Sequence, residues 1–93
     1  MFEARLADDR LQLVGRLDAS QVEVAREAMN RLNTTSVIDF GELEYISSAG
    51  LGMLLGIQKR LMESGGTLKL VNMNRHIREI FRMAGFDRIF VIE

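Results

Sequence analysis

Phe2-Glu-Ala-Arg-Leu6 alternates apolar and polar residues, the period-two pattern of a strand with one wet face. Leu11, Leu13 and Gly15 alternate with Gln12 and Arg16 in the same way, and the polar run Ala7-Asp-Asp-Arg10 between the two predicts a turn and an antiparallel hairpin. From Asp18 the period lengthens. Val22, Ala25, Met29 and Leu32 recur at helical spacing, with Glu23, Arg26, Glu27 and Asn30 on the opposite side. Asp18 followed by Gln21 has the spacing of a capping box for this first helix. Val37, Ile38 and Phe40 then predict a short buried strand, and Gly41 to Tyr45 a connection across the end of the sheet.

A second helix follows from Ser47 and Ser48, with Leu51, Leu54, Leu55, Gln58 and Met62 as its mostly apolar face. Ser64-Gly-Gly66 stops it. Thr67 to Val71 is a further strand. Asn74 caps a third helix whose buried stripe is Ile77, Ile80, Phe81 and Ala84, with Gly85 as its C-terminal cap. Arg88 to Ile92 is a last strand. The order β-β-α-β-α-β-α-β predicts a single small α/β domain over residues 1–93, with a mixed, mostly parallel sheet, an antiparallel hairpin at its N-terminus and helices packed on it. Ligands and partners of such sheets favour the carboxyl ends of the strands. Asp18, Ser47 and Ser48 all follow strand ends and are expected to share one edge.

The 93 residues suffice for one domain, and a net charge of −1 gives no general pull toward nucleic acid or anionic lipid. With no cysteine there is no disulfide framework, thiol nucleophile or Cys-type zinc site. No apolar run approaches the ~20 residues that span a bilayer, and the N-terminus lacks a basic-then-apolar leader pattern, so a soluble cytoplasmic protein without direct membrane binding is expected. Arg75, Arg78 and Arg82 read as a solvated face of the third helix, and His76 has no companion for metal or triad chemistry. The sequence has no lysine-bearing phosphate loop and no paired carboxylates, because Asp39 stands apart from the turn pair Asp8-Asp9. It predicts no enzyme, no metal and no cofactor.

The start of the second helix is the place for chemistry. A helix N-terminus leaves about four N–H groups unpaired and carries partial positive charge. A serine there serves as a cap, holds a ligand anion, or becomes a phosphate acceptor whose charge of about −1.5 to −2 the helix tolerates. Gly52 and Gly56 lie on one side of the helix near Met53 and Ile57, off the leucine face, where glycine lets another backbone approach closely, either this chain's own next strand or helix or a docking partner. Met53 and Ile57 are expected to be exposed there as an adaptable docking surface.

Gly15-Arg-Leu-Asp18, the run from Val37 to Gly52 and the end Met83-Ala-Gly-Phe-Asp-Arg-Ile-Phe90 together resemble the STAS family, and more narrowly the bacterial anti-sigma-factor antagonists, over essentially the whole chain. The resemblance implies a partner switch. The unmodified antagonist binds an anti-sigma factor that is also an ATP-using serine kinase of the GHKL type, phosphorylation of one serine releases it, and a PP2C-type phosphatase resets it. Ser48 matches the family's phosphorylated serine, with Ser47 as second choice. Ala49 occupies the position of a second hydroxyl, and Ser47 stands where members often carry an aspartate. Asp18 matches an acidic residue used near the phosphosite, and Asp39 a strand-end aspartate expected to brace the loop before Ser47. Many members continue into another helix beyond the last strand, whereas this sequence ends at Glu93. The expected partner contacts are Asp18, Ser47, Gly50, Gly52, Met53, Gly56 and Ile57. The same surface would serve a non-switching STAS subunit of a membrane transporter or other regulatory complex, the alternative reading.

Overall fold

The computed structural model describes residues 1–7 and 10–93, so the Asp8-Asp9 pair of the predicted turn lies outside the described residues. The alternating segments form β1 (Phe2–Ala7) and β2 (Arg10–Leu17), paired antiparallel from Phe2↔Gly15 to Ala7↔Arg10. Then come α1 (Val22–Met29), β3 (Ser36–Ile46), α2 (Ser48–Glu63), β4 (Leu68–Val71), α3 (Arg75–Met83) and β5 (Val91–Ile92). The five strands lie in the order β1-β2-β3-β4-β5, and every pair after the hairpin is parallel.

This order decides where the helices go. A crossover between parallel strands is right-handed. Three crossovers stepping in one direction therefore place all three helices on one face. The burial pattern agrees: Leu11, Leu13, Leu17, Ile38, Phe40, Leu68 and Leu70 point into one core with Ala25, Met29, Leu54, Leu61, Ile77 and Phe81 of the helices. The opposite face carries Glu3, Arg5, Gln12, Asp39, Glu42 and Lys69, and no described helix covers it.

Four local expectations are corrected. First, Gly41 to Tyr45 is not a connection. β3 runs on to Ile46, and its register with β2 shifts twice, between Gln12 and Val14 and between Gly15 and Arg16. Each shift inserts one residue into β3, so its inward residues Phe40, Leu43 and Ile46 are three apart rather than two. Second, the last strand is only Val91–Ile92, because Phe86–Arg88 winds into a 3₁₀ turn that carries Phe86 and Phe90 to Phe81. Third, Ala84 is exposed, while Ile77 and Phe81 form the buried stripe of α3. Fourth, Met62 is 59% exposed and Leu51 and Leu55 are only half-buried; the inward face of α2 is Gly50, Met53, Leu54, Ile57, Gln58 and Leu61.

The ends of α2 and α3 follow the sequence closely, whereas α1 stops at Met29, before the predicted Leu32. Asn74 Oδ1 accepts the Ile77 N–H at 2.8 Å and caps α3. Gly65, at φ 83°, ends α2 with paired bonds from Gly66 N–H to Leu61 C=O and from Gly65 N–H to Met62 C=O. Two polar side chains then pin α2 in place. Gln58 is buried and fully bonded: its amide donates to Thr67 Oγ1 and Ile89 C=O, and its oxygen accepts the Leu68 N–H at 2.8 Å. Arg60 donates to the carbonyls of Met29 and Leu32, where α1 has run out of intrahelical donors.

Candidate functional site

Leu17 and Ile46 are register partners at the carboxyl ends of β2 and β3, and the Ser47 N–H donates to Leu17 C=O at 2.9 Å. Asp18 and Ser47 therefore leave the sheet side by side, and the expected shared edge is present. The two chains then diverge. Asp18 caps the 3₁₀ turn Ala19–Gln21, which leads into α1, and Ser47 caps α2.

Asp18 does not use the predicted capping box. Its Oδ1 accepts both the N–H and the hydroxyl of Ser20, at 3.0 and 2.6 Å, and α1 proper starts only at Val22. The Ser20 hydroxyl holds the carboxyl below its ordinary range, opposing the cost of desolvation, and the Ser20 N–H, Arg16 and the N-terminal amine add to the effect. The site thus carries one firm negative charge at neutral pH.

The two serines have different jobs. Ser47 Oγ accepts the Gly50 N–H at 3.1 Å, so the cap is Ser47. Ser48 is the first residue of the helix, is exposed, and its hydroxyl makes no hydrogen bond among the described residues. The N–H groups of Ser48 and Ala49 also have no acceptor there, which leaves two donors and the positive helix end facing outward. Gly50 is buried: a Cβ would lie 2.9 Å from Ile46 Cγ1 and 3.1 Å from Leu17 Cγ. Its expected role as a partner contact is corrected. It lets the first turn of α2 sit directly on the ends of β2 and β3, and that contact sets how the helix is rotated.

The rotation also corrects Met53 and Ile57. Each is 5% exposed and belongs to the core. The outward stripe is instead Ser48, Leu51, Gly52, Leu55, Gly56, Lys59 and Met62. Gly52 and Gly56 are exposed, and a Cβ on either meets nothing within 4 Å, which favours the docking alternative over packing on this chain's own next element. Among the described residues neither has a packing partner for an added side chain.

Asp39 lies within β3, well before Ser47. Its Oδ1 accepts from Gly41 N–H and Asn72 Nδ2, and its Oδ2 pairs with Arg10 at 2.8 Å. It braces the start of the stretch 41–45 before Ser47 as expected, although that stretch is part of β3 rather than a loop, and it also ties in the end of β4 through Asn72. Burial opposes its charge, but the bonds from Gly41, Asn72 and Arg10 prevail and its pKa falls below the ordinary value. A carboxylate with a depressed folded pKa adds stability above its unfolded pKa of about 3.9 and loses it as pH drops through the folded value. Asp39→Asn is therefore expected to melt below wild type at pH 7, with the gap closing in acid; calorimetric melts across pH 2–7, on the order of that window, check this.

The third-helix arginines form no anion pocket. Arg82 pairs with Glu79, and Arg75 and Arg78 are exposed. Among the described residues no group of His, Asp and Glu has metal-site geometry, and no helix is long and apolar enough to cross a membrane.

A small open-faced α/β domain with a serine-headed helix at the strand ends is the architecture of a STAS domain. The family model described as "Mlab, STAS domain" matches residues 1–93, and the chain belongs to the STAS family, in its anti-sigma-factor antagonist branch. It is 37% identical over 81 residues to BtrV of Bordetella bronchiseptica, described as a candidate anti-sigma factor antagonist, covering 86% of this chain and 70% of that one. It is 28% identical to the anti-sigma-B factor antagonist of Bacillus subtilis, covering 91% and 81%. Its fold matches that of the Bacillus cell fate determinant SpoIIAA in its phosphorylated form, with a TM-score of 0.70 and 22% identity over 100% of this chain and 91% of the other.

Proposed function

We propose that this protein is an anti-sigma-factor antagonist whose binding is switched by phosphorylation of Ser48. The observation that carries the reading is an exposed, unbonded hydroxyl on the first residue of α2, at the head of an exposed stripe of small and apolar residues. The names of BtrV and of the Bacillus subtilis relative support the antagonist role, and the existence of SpoIIAA in a phosphorylated form supports the switch. The unmodified stripe docks an anti-sigma factor that is also an ATP-using serine kinase of the GHKL type. A PP2C-type phosphatase removes the phosphate. The antagonist supplies binding and no catalysis.

The physics divides the effect of the phosphate between the two molecules. Within this chain it meets the positive end of α2 and two free N–H groups, so the fold tolerates it. Across the interface it adds bulk and charge beside Asp18 on a surface that was packed. Incubation with the cognate kinase and ATP, followed by peptide mass spectrometry, is expected to place one phosphate on Ser48 and none on Ser48→Ala. Full labelling of Ser48→Ala would move the site to Ser47.

The second reading is a non-switching binding subunit. Ser47 in the position of the family's aspartate favours it. Affinity purification that retrieves a transport ATPase subunit in place of a kinase would select it.

The glycines make a prediction under either reading. Gly52→Ala and Gly56→Ala remove a helix-interior penalty of about 1 kcal/mol each without a clash, so each variant is expected to be more stable in urea. Gly56→Arg is expected to fold equally well yet bind the partner at least about tenfold more weakly by calorimetric titration, since a lost contact of ~1.4 kcal/mol is a factor of ten.

A further inference from the structure

β1 is an edge strand: it pairs with β2 on one side and with no described strand on the other. Natural edges are blunted by proline, bulges, lysine or a covering element. β1 has no proline and no lysine, and its register with β2 is unbroken over six pairs. The Arg16 N–H donates to Met1 C=O at 2.9 Å, which makes Met1 and Arg16 a hydrogen-bonded pair. Alternation along an antiparallel ladder then turns the N–H and C=O groups of Phe2, Ala4 and Leu6 toward the free edge.

The side chains along this edge are self-complementary. Read in either direction the strand is apolar, charged, small, charged, apolar, and its two charges have opposite sign: Phe2, Glu3, Ala4, Arg5, Leu6. We propose that β1 pairs antiparallel with β1 of a second copy about a twofold axis at Ala4, joining two sheets into one of ten strands. Ala4 then faces Ala4 and Phe2 faces Leu6 as hydrogen-bonded pairs, using the outward backbone groups. Glu3 of each copy faces Arg5 of the other as non-hydrogen-bonded pairs, in which side chains stand closest. In the single chain Glu3 and Arg5 already pair with each other, at 2.8 Å, so both side chains lie extended on the same face.

A second feature favours the same occupant. Beside β1, on the helix face, an open groove of about 330 Å³ is lined by Ala4, Leu6, Val24, Glu27, Ala28 and Arg31, and Val24 is 50% exposed. The twofold axis brings the α1 helix of the second copy antiparallel across the extended sheet, where it closes this groove over Val24. A lone peptide strand would fill the edge and leave the groove open. The surface lies on the far side of β2 from β3 and the Ser47–Ser48 turn, so the pairing leaves the proposed switch uncovered and does not rest on it.

Charge reversal tests the pairing directly. The wild type is expected to sediment at its 10.5 kDa monomer mass when dilute and at twice that mass when concentrated. Glu3→Arg and Arg5→Glu each place like charges opposite one another at two symmetric positions, and each is expected to dimerise roughly tenfold or more weakly. An equimolar mixture of the two restores opposite charges at both positions and is expected to recover the dimer as a heterodimer. Circular dichroism of each variant checks that the fold is intact. The amides of Ala4 and Leu6 are expected to exchange more slowly in concentrated wild-type samples than in dilute ones. A wild type that remains monomeric at millimolar concentration overturns the proposal. So does a mixture that associates no better than either variant alone, or a dimer that ignores both reversals.

Discussion

Ser48→Asp is expected to bind the anti-sigma partner at least about 10²-fold more weakly than wild type while keeping its melting temperature within a few degrees. The two halves of this result have separate causes. An uncompensated charge buried at an interface costs several kcal/mol, and about 1.4 kcal/mol is a factor of ten in affinity. Within the chain the same charge sits on the first residue of α2, where a helix N-terminus stabilises an anion by about 0.3–1 kcal/mol. Ser47→Ala is expected to behave in the opposite way. It removes the oxygen that accepts the Gly50 N–H, costing about 1 kcal/mol of stability, and leaves the outward hydroxyl of Ser48 in place. Isothermal titration and thermal melts on both variants separate the two serines. Undiminished binding by Ser48→Asp, or a fold that collapses with it, would remove the basis for a switch at this residue.

The element order, the hairpin, the caps at Asn74 and Gly85 and the meeting of Asp18 with Ser47 were legible because each rests on local chemistry or on handedness. The rotation of α2 was not. Both Leu51-Leu54-Leu55-Met62 and Met53-Leu54-Ile57-Leu61 are apolar at helical spacing, so periodicity alone could not choose between them. The choice is made by Gly50, whose missing side chain lets the first turn rest on Leu17 and Ile46. That contact is tertiary and has no signature in a helical pattern. The same change converts the expected docking pair Met53 and Ile57 into core and passes the outward role to Leu51, Leu55 and Met62. The length of β3 was hidden for a related reason. Its two inserted residues space the inward side chains three apart, and a period-two search stops at Gly41.

The one-sided arrangement of helices also bears on the proposed docking stripe. α2 crosses over between β3 and β4, with α1 on one flank, and its inward half completes the core. On its outward half Leu51 and Leu55 are only half-buried, Met62 is 59% exposed, and a side chain added at Gly52 or Gly56 would meet nothing within 4 Å among the described residues. Gly52 and Gly56 each cost about 1 kcal/mol in a helix interior, with no internal contact to offset it. A stability cost with no structural return is the pattern expected where binding, rather than folding, sets the residue.

The largest effect on the fold is expected far from that stripe, at Phe81. Its ring is fully buried and meets Phe40, Phe86 and Phe90 edge-on or nearly so, at centroid distances of 5.8, 6.1 and 5.8 Å. It is the point at which α3 and the C-terminal 3₁₀ turn are fastened to β3. Phe81→Ala removes the ring and leaves a cavity that the flanking rings cannot fill, for a cost of about 3–5 kcal/mol. A domain of this size has about 5–15 kcal/mol in total, and each kcal/mol moves the melting temperature by about 4–8 °C. A loss on the order of 12–40 °C is therefore expected by calorimetry. The site reacts differently from the fold as a whole. The first turn of α2 rests on β2 and β3 through Gly50, Gln58 ties α2 to β4 at Leu68, and only the Gln58 bond to Ile89 C=O reaches the segment that Phe81 fastens, so under the proposed switch Phe81→Ala should still be phosphorylated at Ser48 below its lowered melting temperature. A melting loss of only a few degrees would show that the aromatic cluster does not anchor α3. Loss of labelling in the folded variant would show that α3 and α2 are coupled more tightly than their contacts imply.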